Sequence, residues 1–173
     1  MTDLITAEYV RDILDYNAET GDFTWRRREE MPLKWNARFA GHKAGSMAKN
    51  GYFRVTINYV DYFAHRLAWL YVTGSWPKEQ IDHADLNQLN NRWVNLREAT
   101  GAQNVCNRRL QSNNKSGFKG VCWDKRFGKW QVSIGLNGKR KTIGYFPEDK
   151  LDDAAAAYAK AALELHGEFA RIA

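Results

Sequence analysis

At 173 residues the chain has room for one ordinary domain or two small ones, and 44% hydrophobic content with 13% aromatics is ample for packed cores. No run of about 18 apolar residues is present to span a bilayer, and the start MTDLITAEYVRDI carries acids where a signal peptide needs basic residues, so a soluble cytoplasmic protein is expected. The formal charge is +6, and the two cysteines, Cys106 and Cys122, belong to no C-x-x-C pair and read as reduced packing residues.

TAEYVRDIL places apolar residues at helical spacing, and NAETGDFTW reads as a turn at Thr20-Gly21-Asp22 followed by a strand. A hairpin is expected around Asn50-Gly51, then a β-rich run from Tyr52 to Tyr62 and a helix starting at Ala64. That helix should end near Gly74, with Pro77 blocking any continuation. Ile81, Asp82 and His83 close a short strand, a polar loop rich in asparagine leads to Trp93-Val94, and Thr100-Gly-Ala-Gln103 forms a capping box that starts another helix. The box puts Asn104 in the first turn, with Asn107 and Arg108 along the same side.

Residues 109–116 are polar and lack hydrophobic periodicity, which marks a linker between a first unit (1–108) and a second (117–173). GFKGVCWD, KWQVSIG and KRKTIGYF are three strand-like runs, joined by Lys125-Arg126-Phe127-Gly128 and by Asn137-Gly138. In the second run Trp130, Val132 and Ile134 alternate with Gln131, Ser133 and Gly135, the signature of a half-buried antiparallel strand. DDAAAAYAKAALELHG is an Ala-rich helix closed by Gly167. The fold class expected is α+β, its second unit a three-stranded antiparallel sheet packed on one helix.

Charge is concentrated in that second unit. From Arg108 to Lys141 there are ten basic residues against the single acid Asp124, a net +9, so the rest of the chain sums to −3. Basic residues interleaved with Phe118, Trp123, Phe127 and Trp130 describe an ordered structure displaying charge, which suits a polyanion partner better than a solvated tail.

Asp82-His83, Asn95-Leu96 and Asn104, with spacings of 12 and 9 from His83 to Asn95 and on to Asn104, resemble the HNH nuclease motif in its H-N-N variant, found in phage and intron-encoded homing endonucleases. The preceding AHRLAWLYVTGSWP resembles the segment those proteins carry before the motif, and the resemblance extends over about residues 38–108. It implies a ββα-metal finger at about 79–108 that hydrolyses DNA phosphodiesters. His83 is then the general base, since an imidazole near pKa 6.5 can take a proton from water at neutral pH. Asp82 and Asn104 supply oxygen ligands to one divalent ion, magnesium or manganese, per active site, with Asn107 a close alternative to Asn104. Asn95 holds the loop and orients the His83 ring. One ion per site implies that one strand is cut per visit, which leaves nicking by a monomer and double-strand cleavage by a homodimer both open.

The stretch SGFKGVCWDKRFGKWQVSIGLNGKRKTIGYFPEDKLDDAAAAYAKAALELHGEFARI, residues 116–172, resembles the AP2 DNA-binding domain in its phage and bacterial form. That family places its sheet in the DNA major groove, which would make Lys119, Gln131, Ser133, Arg140 and Thr142 exposed-face DNA contacts, with Lys125 and Arg126 reaching the backbone from the turn. Having Cys122, Ser133, Gly135 and Thr142 where plant members carry arginine or tryptophan, the sheet is expected to bind mostly phosphate, with modest base preference.

Other polar residues are given plainer roles. Asn87, Asn90 and Asn91 are read as loop-closing residues, His65 as a packing or phosphate residue rather than a second base, and Arg26, Arg27 and Arg28 as a solvated strand edge. His42 and His166 are assigned nothing. The expectation is therefore a phage or prophage homing-type endonuclease acting on double-stranded DNA in the bacterial host cytoplasm, with no membrane partner. The competing reading is a DNA-binding regulator whose HNH fold no longer cuts.

Overall fold

A computed structural model describes residues 5–136 and 138–172. Contacts divide the chain into two units, one up to Glu98 and one from Ala99 onward. The expected Asn137-Gly138 turn lies partly outside the described residues, since Asn137 is not among them.

The first unit opens with α1 (Ala7–Ile13), whose N-cap Thr6 accepts a hydrogen bond from the Tyr9 amide. The chain passes directly into β1 (Leu14–Tyr16), which pairs antiparallel with β2 (Phe23–Trp25) across a turn over residues 17–22 that includes Gly21 at positive φ. A short helix, α2 (Leu33–Phe39), follows. Then β3 (Ser46–Met47), β4 (Phe53–Ile57) and β5 (Val60–Phe63) form a three-stranded antiparallel meander. The run Tyr52 to Tyr62 is thus two strands, divided at Asn58-Tyr59, both with positive φ.

α3 (Ala64–Thr73) starts immediately after β5 and ends on the left-handed Gly74, whose amide bonds the Leu70 carbonyl. Its buried face carries Ala64, Leu67, Ala68 and Leu70, which join Val10, Ile13, Leu14, Phe23, Val55 and Ile57 in one apolar core. The core extends to Ile81 and Leu96 on β6 (Gln80–His83) and β7 (Leu96–Ala99), which pair with each other. Packing of those two residues fixes the ribbon that carries Asp82 and His83.

The second unit begins with the short helix α4 (Gly101–Cys106), where Thr100 and Gln103 make both bonds of the expected capping box. The helix stops at Cys106, so Arg108 lies beyond it and does not share its face as expected. Residues 109–116 carry no regular element. The C-terminal end of that segment is pinned to the sheet: Asn114 Oδ1 accepts from the Gly117 amide, and the buried Ser116 hydroxyl lies 2.7 Å from the Val121 carbonyl.

β8 (Val121–Asp124), β9 (Lys129–Leu136) and β10 (Lys139–Phe146) form an antiparallel sheet in the order β10-β9-β8. One face, led by Val121, Val132 and Ile134, packs on Ala154, Tyr158 and Ala162 of α5 (Leu151–His166). Those helical residues recur every four positions, so the small alanines let the helix lie close to the sheet. A register shift between Thr142 and Gly144 bends β10.

Candidate active site

Asp82 and His83 are consecutive residues of β6 with relative exposures of 4% and 5%. Successive strand residues point to opposite faces, so the two side chains have different neighbours. The Asp82 carboxylate is held by Arg97 on β7, whose Nε and Nη2 both donate to Oδ2, at 2.9 and 2.8 Å. Arg97 is the positive charge that balances a buried carboxylate.

The His83 ring sits among aromatic and imidazole groups. Its centroid is 5.1 Å from that of His65, edge to face, and 6.3 Å from that of Tyr52. Burial disfavours the imidazolium and pulls the His83 pKa below its ordinary value, although the Asn91 hydrogen bond and the carboxylates of Asp85 and Asp82 pull the other way. A buried neutral imidazole is the form a general base must have before it takes a proton.

Between β6 and β7 the chain makes a loop built by its own carboxamides. Asp85 is its hub: Oδ1 accepts from the Asn87 amide at 2.8 Å and from Asn95 Nδ2 at 2.9 Å, and Oδ2 accepts from Asn90 Nδ2 at 2.6 Å. Asn95 also accepts from the Asp85 amide at 3.0 Å and donates to the Asn90 carbonyl at 2.8 Å. Burial raises the Asp85 carboxyl, but the bonds from Asn90, the Asn87 amide and Asn95 outweigh it, and the pKa ends below the usual value. Local side-chain bonds of this kind are what asparagine and aspartate offer in place of regular structure.

Three expectations are corrected here. Asn95 holds the loop but does not orient the His83 ring, because its carboxamide is spent on Asp85 and Asn90. Asn91 instead reaches the ring, its Oδ1 lying 3.1 Å from His83 Nε2. Asn91 is thus more than a loop-closing residue; nothing in a cluster of loop asparagines singles it out in sequence, and in the fold it is 3% exposed. His65 proves to be a packing residue: it is buried against Tyr52, Phe63 and His83, its Nδ1 lacks a hydrogen-bond partner, and burial followed by the charges of His83 and Arg66 drives its pKa down to about 3. Arg28 is no solvated edge either, since its guanidinium lies 4.5 Å over the Trp35 ring.

Asn104 lies on α4, partly exposed, and Asn107 at its C-cap is buried, both within the second unit. One carboxylate with amide oxygens is the donor chemistry of a hard divalent ion, and Asp82 already holds a cationic group at its carboxylate. Among the described residues no group of three or more His, Cys, Asp or Glu converges to hold a metal ion.

In the second unit Arg108, Arg109, Lys115, Lys125 and Arg140 line one groove. Gln131 and Thr142 lie on the outer face, Gln131 Nε2 donating to Tyr145 Oη at 3.0 Å. Lys125 is exposed at the turn, as is Arg126, which is paired with Asp124 at 2.9 Å. Two predicted contacts are corrected. Ser133 is buried at 3% exposure and accepts from Arg140 Nε at 2.7 Å, so it braces the arginine and is not itself displayed. Lys119 is half-buried, and its ammonium donates to the carbonyls of Cys106 and Arg108, which ties down the end of α4. Burial lowers the Lys119 pKa.

Residues 62–106 match the family model of the HNH endonucleases. The chain is 36% identical over 108 residues to Protein 3.8 of Escherichia phage T7, an alignment covering 62% of this chain and 87% of the phage protein. It is also 36% identical over 108 residues to an uncharacterised HNH endonuclease of Acanthamoeba polyphaga mimivirus, covering 61% of this chain and about half, 54%, of that relative. Among solved structures, that of the HNH homing endonuclease I-HmuI in DNA binding and cleavage aligns with 21% identity and a TM-score of 0.42, over 89% of this chain and 85% of that one.

Proposed function

The chain belongs to the HNH endonuclease family and is a nuclease, and from that premise we propose that it is a divalent-metal-dependent enzyme that nicks double-stranded DNA. The observation that carries this reading is that Asp82 and His83, an anionic oxygen donor and an imidazole, are both buried at consecutive positions of β6.

In this reading His83 accepts the proton of the water that attacks the scissile phosphorus, and Asn91 holds the ring while it does so. Asp82 and Asn104, or Asn107 in place of Asn104, would hold one magnesium or manganese ion. When bound, that ion supplies positive charge to the phosphate and to the departing 3′ oxygen. Asn95 and Asp85 keep the loop in shape around the base. Arg97 keeps the Asp82 carboxylate aimed and charged while the site assembles.

The functional nuclease domain runs to about residue 108, crossing the structural division at Glu98 as the family match itself does. Residues 117–173 act as an AP2-like DNA-binding domain, supported by the three-stranded sheet braced on α5 and by its basic groove. Lys125, Arg126, Gln131, Arg140 and Thr142 make the contacts, mainly to phosphate. A homing-type role in the cytoplasm of a bacterial host fits the phage relative. No helix among the described residues is long and apolar enough to cross a membrane.

Supercoiled plasmid with magnesium tests the proposal. Wild type should convert it to nicked circles, while His83→Ala or added EDTA should abolish cutting and leave DNA binding in place. Undiminished cutting by His83→Ala would overturn the assignment of the base.

A further inference from the structure

We infer that Asn91 is the positioning residue of the general base, and that the N-terminal hairpin β1-β2 exists in part to hold Asn91 in place. The inference rests on the nuclease reading above and gives residues before 40 a role in it.

Asn91 presents Oδ1 to His83 Nε2 at 3.1 Å with both residues buried. A carboxamide oxygen only accepts, so the Nε2 that faces it must carry the proton. In a neutral imidazole the lone pair is then on Nδ1, which makes Nδ1 the basic atom. Asn91 thus fixes both the rotation of the ring and the nitrogen that does chemistry.

The hairpin grips Asn91 through its backbone. Tyr16 Oη donates to the Asn91 carbonyl at 2.7 Å, and burial pushes the Tyr16 phenol up to about 12, so it stays a donor. Gly21, at φ +78, lies so close to the Asn91 carbonyl and Arg92 amide that a β-carbon there would collide with both. The Trp93 amide donates to the Ala18 carbonyl at 3.0 Å. Three contacts from one hairpin therefore meet residues 91–93, and Asn95 and Asp85 fix the other side of the same loop.

Long-range proton–nitrogen NMR of the His83 imidazole, on metal-free full-length protein at alkaline pH, reads the tautomer directly. Wild type should show His83 protonated at Nε2. Asn91→Leu, of similar shape without an acceptor, should lose that preference and lower kcat by about 10–100-fold with KM for DNA little changed. Asn91→Asp restores an acceptor oxygen and should recover the Nε2 proton and part of kcat. Tyr16→Phe should give a smaller loss that is not added to in the double variant with Asn91→Leu, because both act through one contact. Thermal unfolding identifies any variant that has lost its fold, in which case Asn91→Asp and Tyr16→Phe carry the test. A wild-type His83 protonated at Nδ1, or an Asn91→Leu protein with unchanged tautomer and kcat, would overturn the inference. A wild type with the expected tautomer that cuts no DNA instead refutes the nuclease reading and upholds the role of Asn91 in setting the ring.

Discussion

Arg97 donates twice to one oxygen of Asp82, so the carboxylate assigned to the metal already has a cation fixed beside it. A carboxylate with 4% exposure cannot be left uncompensated cheaply, and breaking such a pair by removing one partner costs about 3–5 kcal/mol when both groups are deeply buried. Arg97 keeps some exposure, with 17% of its side chain accessible, so a loss of about 2–3 kcal/mol is expected for Arg97→Met in urea unfolding without metal. Magnesium should return part of that loss, because it supplies the missing positive charge only to the folded state. Wild type should gain less from the same ion.

Asn95 is the second structural hinge of the site. It is 7% exposed, and its carboxamide makes three bonds, to the Asp85 amide, the Asp85 carboxylate and the Asn90 carbonyl. Asn95→Ala should destabilise the protein by about 2–3 kcal/mol, since buried polar groups are left unpaired. It should also reduce nicking, because Asn91 rides on the same loop. Asn95→Asp keeps the acceptor and loses the donors, and should fall between wild type and Asn95→Ala in both assays.

How much of this was legible beforehand depends on whether the signal was local. The α3 start and its Gly74 stop, the Thr100 capping box, the three strands of the second unit and the Ala-rich α5 were all readable, because each is set by spacing or by one conformationally special residue. The turn at Asn58-Tyr59 was hidden, since positive φ there is adopted without glycine. The pair Asp82-His83 stood out by motif, whereas Asn91 looked like its neighbours Asn87 and Asn90. What separates it is a tertiary fact, contact with Tyr16 and Gly21 some 70 residues earlier. Ser133 followed the alternation that marks an outer face, yet it is buried and its hydroxyl accepts from the Arg140 guanidinium.

His65 gives the protein a stability that depends on pH in a definite direction. Burial, then His83 and Arg66, lowers its pKa from 6.5 to about 3 in the folded state. Between those values the unfolded chain binds a proton that the folded chain refuses, so stability is full above about 6.5 and falls as pH drops toward 3. One such proton corresponds to a slope of about 1.4 kcal/mol per pH unit. His65→Leu should flatten the slope measured by denaturant titration across this window without removing it, since His83 is shifted the same way. An identical slope in the variant would show that His65 titrates normally.

Lys119 and Lys125 should behave as opposites although both are lysines of one basic run. Lys125 is exposed at the β8-β9 turn, and its charge is available to phosphate. Lys125→Ala should weaken DNA binding evenly across sequences and reduce the slope of log affinity against log salt by about one. Lys119 instead caps the carbonyls of Cys106 and Arg108, so Lys119→Met should leave the salt slope nearly intact and lower the melting temperature of the second unit. Arg140→Ala should reduce the slope as Lys125→Ala does, because Ser133 holds that guanidinium beside the groove by one bond only. Ser133→Ala should act weakly and through Arg140, so it should have no further effect once Arg140 has been replaced. Binding titrations over a range of salt, with melting curves on the same proteins, separate these outcomes.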